Sequence, residues 1–218
     1  MYKRQALDIA ASMLKAGSYK YALVIGSEKM SEIVNWKDRS VCVLFGDGAG
    51  AVVLKAVDNN TEDVTGALVG HERGIIDSNI YNDGTGASVL TGGRRFSDSC
   101  STDIFIHMDG QEVFKFAVKS VPTAIETLLH NNNMDINEVD KFILHQANVR
   151  IIESVAKRLK ADKDKFPVNL NEYGNTSSAS IPILLDELNR NGSLKQGEKL
   201  VLAGFGAGLS WGSILLVW

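Results

Sequence analysis

Only two cysteines, Cys42 and Cys100, occur in 218 residues. That is too few for the disulfide framework of a small secreted domain and agrees with a reducing compartment. Long apolar runs are missing as well. None approaches the roughly 20 residues that span a bilayer, and no basic start, apolar stretch and small-residue cleavage site marks a secretory signal. The expectation is a cytoplasmic protein without a membrane partner. Positive charge is not in excess: 23 Lys and Arg stand against 26 Asp and Glu, a net charge of −3, which argues against a general nucleic-acid binder. The four histidines, His71, His107, His130 and His145, are scattered, with no His-x-x-x-His or Cys-x-x-Cys pair, so neither a metal site nor a metal cofactor is expected. A Gly-x-Ser-x-Gly nucleophile elbow is lacking too. What is present, 44% hydrophobic and 22% charged residues, is the balance of a globular protein long enough to bury a sizeable core.

Along the chain, apolar residues at Ala6, Ile9, Ala10 and Leu14 with Gly17 as a stop predict a helix over 6–16. Residues 1–5, polar and basic, are expected to be a non-native leader. Short apolar runs at 21–26, 41–45 and 51–54 predict strands, the last two joined by a turn at Gly46-Asp47-Gly48-Ala49-Gly50. Residues 64–69 are a further strand candidate. From about 74 to 102 the pattern dissolves into Gly, Ser, Asn, Asp and Thr, which suggests a functional flap or a connection between subdomains. A strand at 104–108 then leads to a long helical stripe, Val113, Ala117, Val121, Ala124 and Leu128, bent by Pro122. The remainder alternates: strand 141–145, helix 148–160, helix 178–190, strands 199–203 and 210–217. Such alternation indicates an α/β fold. Val41–Leu54 and Leu200–Leu216 echo each other as strand–turn–strand units and suggest a duplicated half.

The sharpest local feature is Phe142-Ile143-Leu144-His145-Gln146-Ala147-Asn148, where an apolar strand ends in histidine and a helix follows at once. Strand C-termini are where α/β sheets place their sites, although a lone histidine there is as often structural. Thirty residues on, Asn175 in Gly174-Asn175-Thr176-Ser177-Ser178 stands at another helix entry, where a cap is the plainest role. Together they offer an imidazole and a carboxamide, two donors suited to a carbonyl oxygen on which negative charge develops. Gly204-Phe205-Gly206-Ala207-Gly208 could bring backbone N–H groups close to a substrate or be a tight strand–strand turn. It does not fit a dinucleotide loop, and Gly46–Gly50 does not fit a phosphate loop. Residues 148–165 carry six basic side chains, Arg150, Lys157 and Arg158 among them, against three acidic ones. Such a run is either a solvated face or a surface for an acidic partner.

These residues carry a family resemblance. Asp38-Arg39-Ser40 and Phe45-Gly46-Asp47-Gly48-Ala49-Gly50-Ala51 resemble the 3-oxoacyl-[acyl-carrier-protein] synthase III family. So do Gly110-x-Glu112-Val113-Phe114-Lys115, His145-Gln146-Ala147-Asn148-x-Arg150-Ile151, Gly174-Asn175-Thr176-Ser177 and Phe205-Gly206-x-Gly208-x-x-Trp211-Gly212, all in family order. The resemblance implies a thiolase-like fold of five layers, α-β-α-β-α, built from two related halves, with a homodimer as assembly. Here the first half is expected to be truncated: 6–75 its remainder, 76–102 a variable connecting segment and 103–218 the second half. It implies a decarboxylating condensation of acyl-CoA, acetyl-CoA by expectation, with malonyl-acyl-carrier protein to start fatty-acid synthesis, with no cofactor. His145 and Asn175 would be catalytic, and Gly206, Ala207 and Gly208 the oxyanion loop. Arg39, Phe45, Gly110, Phe114 and Asn148 would line the CoA and pantetheine channel. Gln146, Arg150, Lys157 and Arg158 would meet the carrier protein.

Two departures bear on that reading. Ala207 stands where many relatives have glycine. The family nucleophile, a cysteine at a helix N-terminus, falls one residue before Met1 by family spacing. Cys42 reads as a small core residue, and Cys100 matches no catalytic position. The chain alone is therefore expected to be inactive in condensation. The alternatives are a thiolase, a 3-hydroxy-3-methylglutaryl-CoA synthase, a ketosynthase of secondary metabolism, or a nucleophile-free partner subunit without catalysis. Thiolases commonly carry a second cysteine near the closing loop, where this chain has Ala203-Gly204-Phe205-Gly206.

Overall fold

A computed structural model describes residues 2–57, 73–92 and 104–218. In chain order, helix α1 (Tyr2–Lys15) precedes strands β1 (Tyr21–Glu28), β2 (Gly48–Lys55), β3 (Gly74–Asn82), β4 (Leu90–Gly92) and β5 (Ile106–Met108). Helix α2 (Gly110–Asn131), strand β6 (Lys141–Leu144), helices α3 (Val149–Leu159), α4 (Leu170–Tyr173) and α5 (Ser180–Arg190), and strands β7 (Lys199–Gly206) and β8 (Ser210–Val217) complete it. β1 and β2 pair antiparallel; β3, β8, β7 and β6 form a four-stranded sheet in that order, with only β6 and β7 parallel.

Alternation along the strands sorts the two faces of the four-stranded sheet into two cores. Ile143, Leu200, Leu202 and Ile214 pack with Leu7 of α1 and Leu184, Leu185 and Leu188 of α5, and these helices also meet Val24, Val52 and Leu54 of the small sheet. Phe142, Val201, Ala203 and Leu215 face the other way, against Val121, Ile125 and Leu128 of α2 and Ile152 and Val155 of α3. The layers are therefore sheet, helices, sheet, helices: the α/β architecture expected. The outer face of the small sheet, with Tyr21, Leu23, Ile25 and Val53, is exposed, so a fifth layer over it is not among the described residues.

Local chemistry fixes the helix ends. Asp109 accepts from the N–H groups of Gln111 and Glu112 to start α2, and Asn148 accepts from Arg150 N–H to start α3. Lys160 closes α3 in the left-handed region at φ 53°. Pro122 is accommodated inside α2. On the sheet side, Phe142 is fully buried and stacks on Phe166 at 4.6 Å between ring centroids.

Several expectations are corrected. Residues 41–44 form a turn, not a strand: Val41 and Cys42 N–H both donate to Asp38 O, and Val43 is 72% exposed. The glycines that follow do not form a turn but lead into β2 (Gly46) or begin it (Gly48 and Gly50), and they are small for a packing reason. A Cβ on Gly46 would lie 2.1 Å from Tyr173 O, and one on Gly50 3.0 Å from Pro182 Cγ. β2 pairs with β1, so the echo between 41–54 and 200–216 fails. Residues 74–82 are a strand of the main sheet, not irregular chain. Their polar side chains find partners there: Asn79 Oδ1 accepts from Ser213 N–H and its Nδ2 donates to Ala124 O, while Asn132 Nδ2 donates to Asp77 Oδ2. α1 begins at Tyr2, four residues before the helix expected over 6–16. The strand expected at 64–69, His71 and Cys100 lie outside the described residues.

Candidate active site

β6 delivers His145 to the C-terminal edge of the main sheet, where His145 N–H donates to Ala203 O at 2.8 Å and carries the β6–β7 pairing one residue further. The imidazole Nδ1 lies 2.7 Å from Ser180 Oγ, at the first residue of α5. Its ring meets Phe205 edge-on at 5.4 Å between centroids. The residue keeps some exposure, but the protein packed around its ring disfavours the charged form and pushes its pKa from 6.5 down to about 3. The imidazole is neutral.

Asn175 arrives on a second segment. Its N–H donates to Leu44 O at 2.8 Å and its carbonyl accepts from Gly46 N–H at 3.0 Å, a parallel bridge that sets Phe45 beside Asn175. The close approach that requires Gly46 thus anchors Asn175. The side chain is buried, and its Oδ1 accepts from Ser177 N–H at 2.9 Å. Ser177 takes a positive φ of 49° to make that contact. Among the described residues neither Asn175 Nδ2 nor His145 Nε2 has a hydrogen-bond partner. Neither is sealed off, because the one fully enclosed, unpartnered side-chain polar atom there is Thr91 Oγ1. The Asn175 amide nitrogen and His145 Nε2 are therefore both open to a ligand.

The closing turn is shorter than the glycine pattern implies, since β7 runs through Gly206 and β8 begins at Ser210. Asp83 clamps it: Asp83 N–H donates to Leu209 O at 2.8 Å and Leu209 N–H to Asp83 O at 2.7 Å. Ala207 is not among the three non-glycine residues with positive φ in the described chain, Asn133, Lys160 and Ser177, so alanine fits there without backbone strain. Gly208, at φ 140°, is the position that demands glycine.

Of the other expected site residues, Phe45 is half-buried against Met30, Val41 and Ile106. Arg39 is exposed in the turn after Asp38. Gly110 is the exposed first residue of α2, and Phe114, one turn on, is half-buried against the core beneath. Asn148 caps α3. Arg150, Lys157 and Arg158 are exposed on that helix. Gln146 is a correction: it is 1% exposed and so offers nothing to a partner's surface. Its Nε2 donates to Leu144 O and its Oε1 accepts from Asn169 N–H, which ties the β6–α3 turn to the chain before α4. Sequence reasoning missed Ser180 and Phe205 as neighbours of His145. Ser180 reads as an ordinary residue of a helix start, and nothing in the pattern points 35 residues back.

Comparison with known proteins identifies the family. Two family models match in succession: 3-oxoacyl-[acyl-carrier-protein] synthase III over residues 4–84 and its C-terminal region over residues 129–218. The chain is 44% identical to the beta-ketoacyl-[acyl-carrier-protein] synthase III of Clostridium acetobutylicum over 98% of its own length and 63% of that protein's. A solved 3-oxoacyl-[acyl-carrier-protein] synthase III from Aquifex aeolicus superposes with a TM-score of 0.87 at 41% identity, covering 99% of this chain and 64% of that one. The priming beta-ketosynthase of the R1128 polyketide pathway is similar at 34% identity and a TM-score of 0.82, covering 98% and 62%. The chain thus spans under two thirds of the length of these relatives.

Proposed function

The chain belongs to the 3-oxoacyl-[acyl-carrier-protein] synthase III family, and from that premise we propose that its site carries out the decarboxylating half of a Claisen condensation of acyl-CoA with malonyl-acyl-carrier protein. His145 Nε2–H and Asn175 Nδ2–H donate to the carbonyl oxygen of the malonyl thioester. As the bond to the carboxylate breaks, its electron pair moves into the thioester, CO2 leaves, and the negative charge settles on the oxygen these two donors hold. The enolate carbon then attacks an acyl thioester, whose thiolate departs, giving 3-oxoacyl-acyl-carrier protein. Backbone N–H groups at Gly206, Ala207 and Gly208 receive the tetrahedral oxyanion of that second step.

One observation carries the reading: each donor is held through its other polar atom, Asn175 Oδ1 by Ser177 N–H and His145 Nδ1 at Ser180 Oγ, so the remaining N–H of each is left for substrate. A neutral imidazole can act only as a hydrogen-bond donor here, not as an acid carrying a full charge. Arg39, Phe45, Gly110, Phe114 and Asn148 form the proposed pantetheine and CoA path. The exposed Arg150, Lys157 and Arg158 form the proposed docking face for the acidic carrier protein, in a homodimeric assembly. Cys42, half-buried in the 41–44 turn, is not assigned the role of acyl-accepting thiol.

The test is CO2 release from malonyl-carrier protein by the purified chain. His145→Ala and Asn175→Ala are each expected to lower the rate by roughly two orders of magnitude, the effect of losing one oxyanion donor. Unchanged release in either variant contradicts the assignment.

A further inference from the structure

The geometry points to Ser180 as a positioning residue that fixes which nitrogen of His145 carries the proton, through the hydroxyl it places 2.7 Å from Nδ1. The inference rests on the proposed function, because it matters only if His145 must donate from Nε2.

The argument is a count of protons and lone pairs. Ser180 is 2% exposed, and its Oγ has two partners among the described residues: Gln146 N–H at 3.3 Å and His145 Nδ1. A backbone N–H can only donate, so toward Gln146 the hydroxyl is an acceptor. Its own proton then has one destination, the Nδ1 lone pair, and a neutral ring that accepts at Nδ1 carries its hydrogen on Nε2. In the opposite tautomer Oγ would accept from two N–H groups and its buried proton would have no acceptor among the described residues, an arrangement that is disfavoured. Two further contacts hold the ring in place. Phe205 packs against it edge-to-face at 5.4 Å between centroids, and His145 N–H, bonded to Ala203 O, fixes the backbone from which the ring projects. The location of Ser180 follows from α5: the helix begins there, five residues after Asn175, so one helix entry supports both proposed donors. Gln146, displaced from its expected docking role, acquires a purpose, since its backbone N–H orients the hydroxyl.

The experiment reads the tautomer directly. In the 15N-labelled 218-residue chain, the His145 ring signals are identified by their loss in His145→Gln, and long-range couplings show which nitrogen is protonated at neutral pH. The wild type is expected to carry the proton on Nε2, Ser180→Ala to gain the Nδ1-protonated form, and Ser180→Thr, which keeps the hydroxyl, to retain the wild-type signature. Malonyl decarboxylation should fall about ten- to hundredfold in Ser180→Ala and recover in Ser180→Thr. An Nδ1-protonated wild type overturns the inference without recourse to any variant. A Ser180→Ala ring still wholly protonated on Nε2 overturns it as well. If instead the tautomer shifts as expected while His145→Ala leaves decarboxylation untouched, the positioning stands and the proposed function fails.

Discussion

Holding His145 neutral inside the protein has a consequence for stability that is separable from catalysis. Its folded pKa, about 3, lies below the ordinary 6.5 because burial disfavours the imidazolium. Above the ordinary value neither the folded nor the unfolded chain binds the proton, so no stability is lost. As the pH falls below it, the unfolded chain takes up a proton that the folded chain refuses, and stability declines until the folded value is reached. The loss is at most about 1.4 kcal/mol per pH unit. Urea unfolding at pH 7.5 and about pH 5 should show this decline in the wild type and a clearly smaller one in His145→Gln; parallel curves would contradict the buried, neutral ring. At this scale the sequence was informative about His145 and Asn175, because a strand end and a helix entry are visible in pattern. It was silent on what holds them, since the bonds of His145 to Ser180 and of Asn175 to Leu44 join segments 35 and 131 residues apart. Gln146 was misread because Arg150 of the same motif is exposed, while its own side chain is used up inside the turn.

Elements whose apolar residues follow one period were legible. α2, α3 and α5, with β6, β7 and β8, lie close to where hydrophobic spacing placed them, because each buries one regular face or a continuous run. The failures are two strands that lack that signature. β3 carries Asp77, Ser78 and Asn79, whose polarity reads as loop until their partners on α2 and β8 are known. Ser78 Oγ likewise donates to Asp8 Oδ1 on α1. Gly46, just before β2, and Gly48 and Gly50 within it read as a turn but serve a close approach to α5 and to the segment bearing Asn175. Gly46→Ala tests that account at the segment bearing Asn175. Its Cβ would intrude on the Tyr173 carbonyl, so the bridge between Phe45 and Asn175 must shift, at a cost of about 2–3 kcal/mol by thermal or urea unfolding. A melting temperature equal to wild type would show that the approach is not needed.

For the whole molecule, the layered α/β arrangement does more than enclose a core. The main sheet presents His145 and the 207–209 turn at one edge, while α5, between the two sheets, brings in Ser180 just after Asn175 and Ser177. The exposed basic residues of α3, Arg150, Lys157 and Arg158, begin five residues after His145 and are the proposed docking face. The overall class was accessible from motif order. The layer order was not, because it depends on which face of each strand meets which helix. The central proposal is that His145 and Asn175 form a site at which malonyl-carrier protein is decarboxylated. Its most direct test gives the purified chain malonyl-carrier protein, quantifies CO2 and weighs the carrier-bound species by mass spectrometry. The account predicts CO2 release matched by acetyl-carrier protein and lowered in His145→Ala and Asn175→Ala; release undiminished in either variant would contradict it.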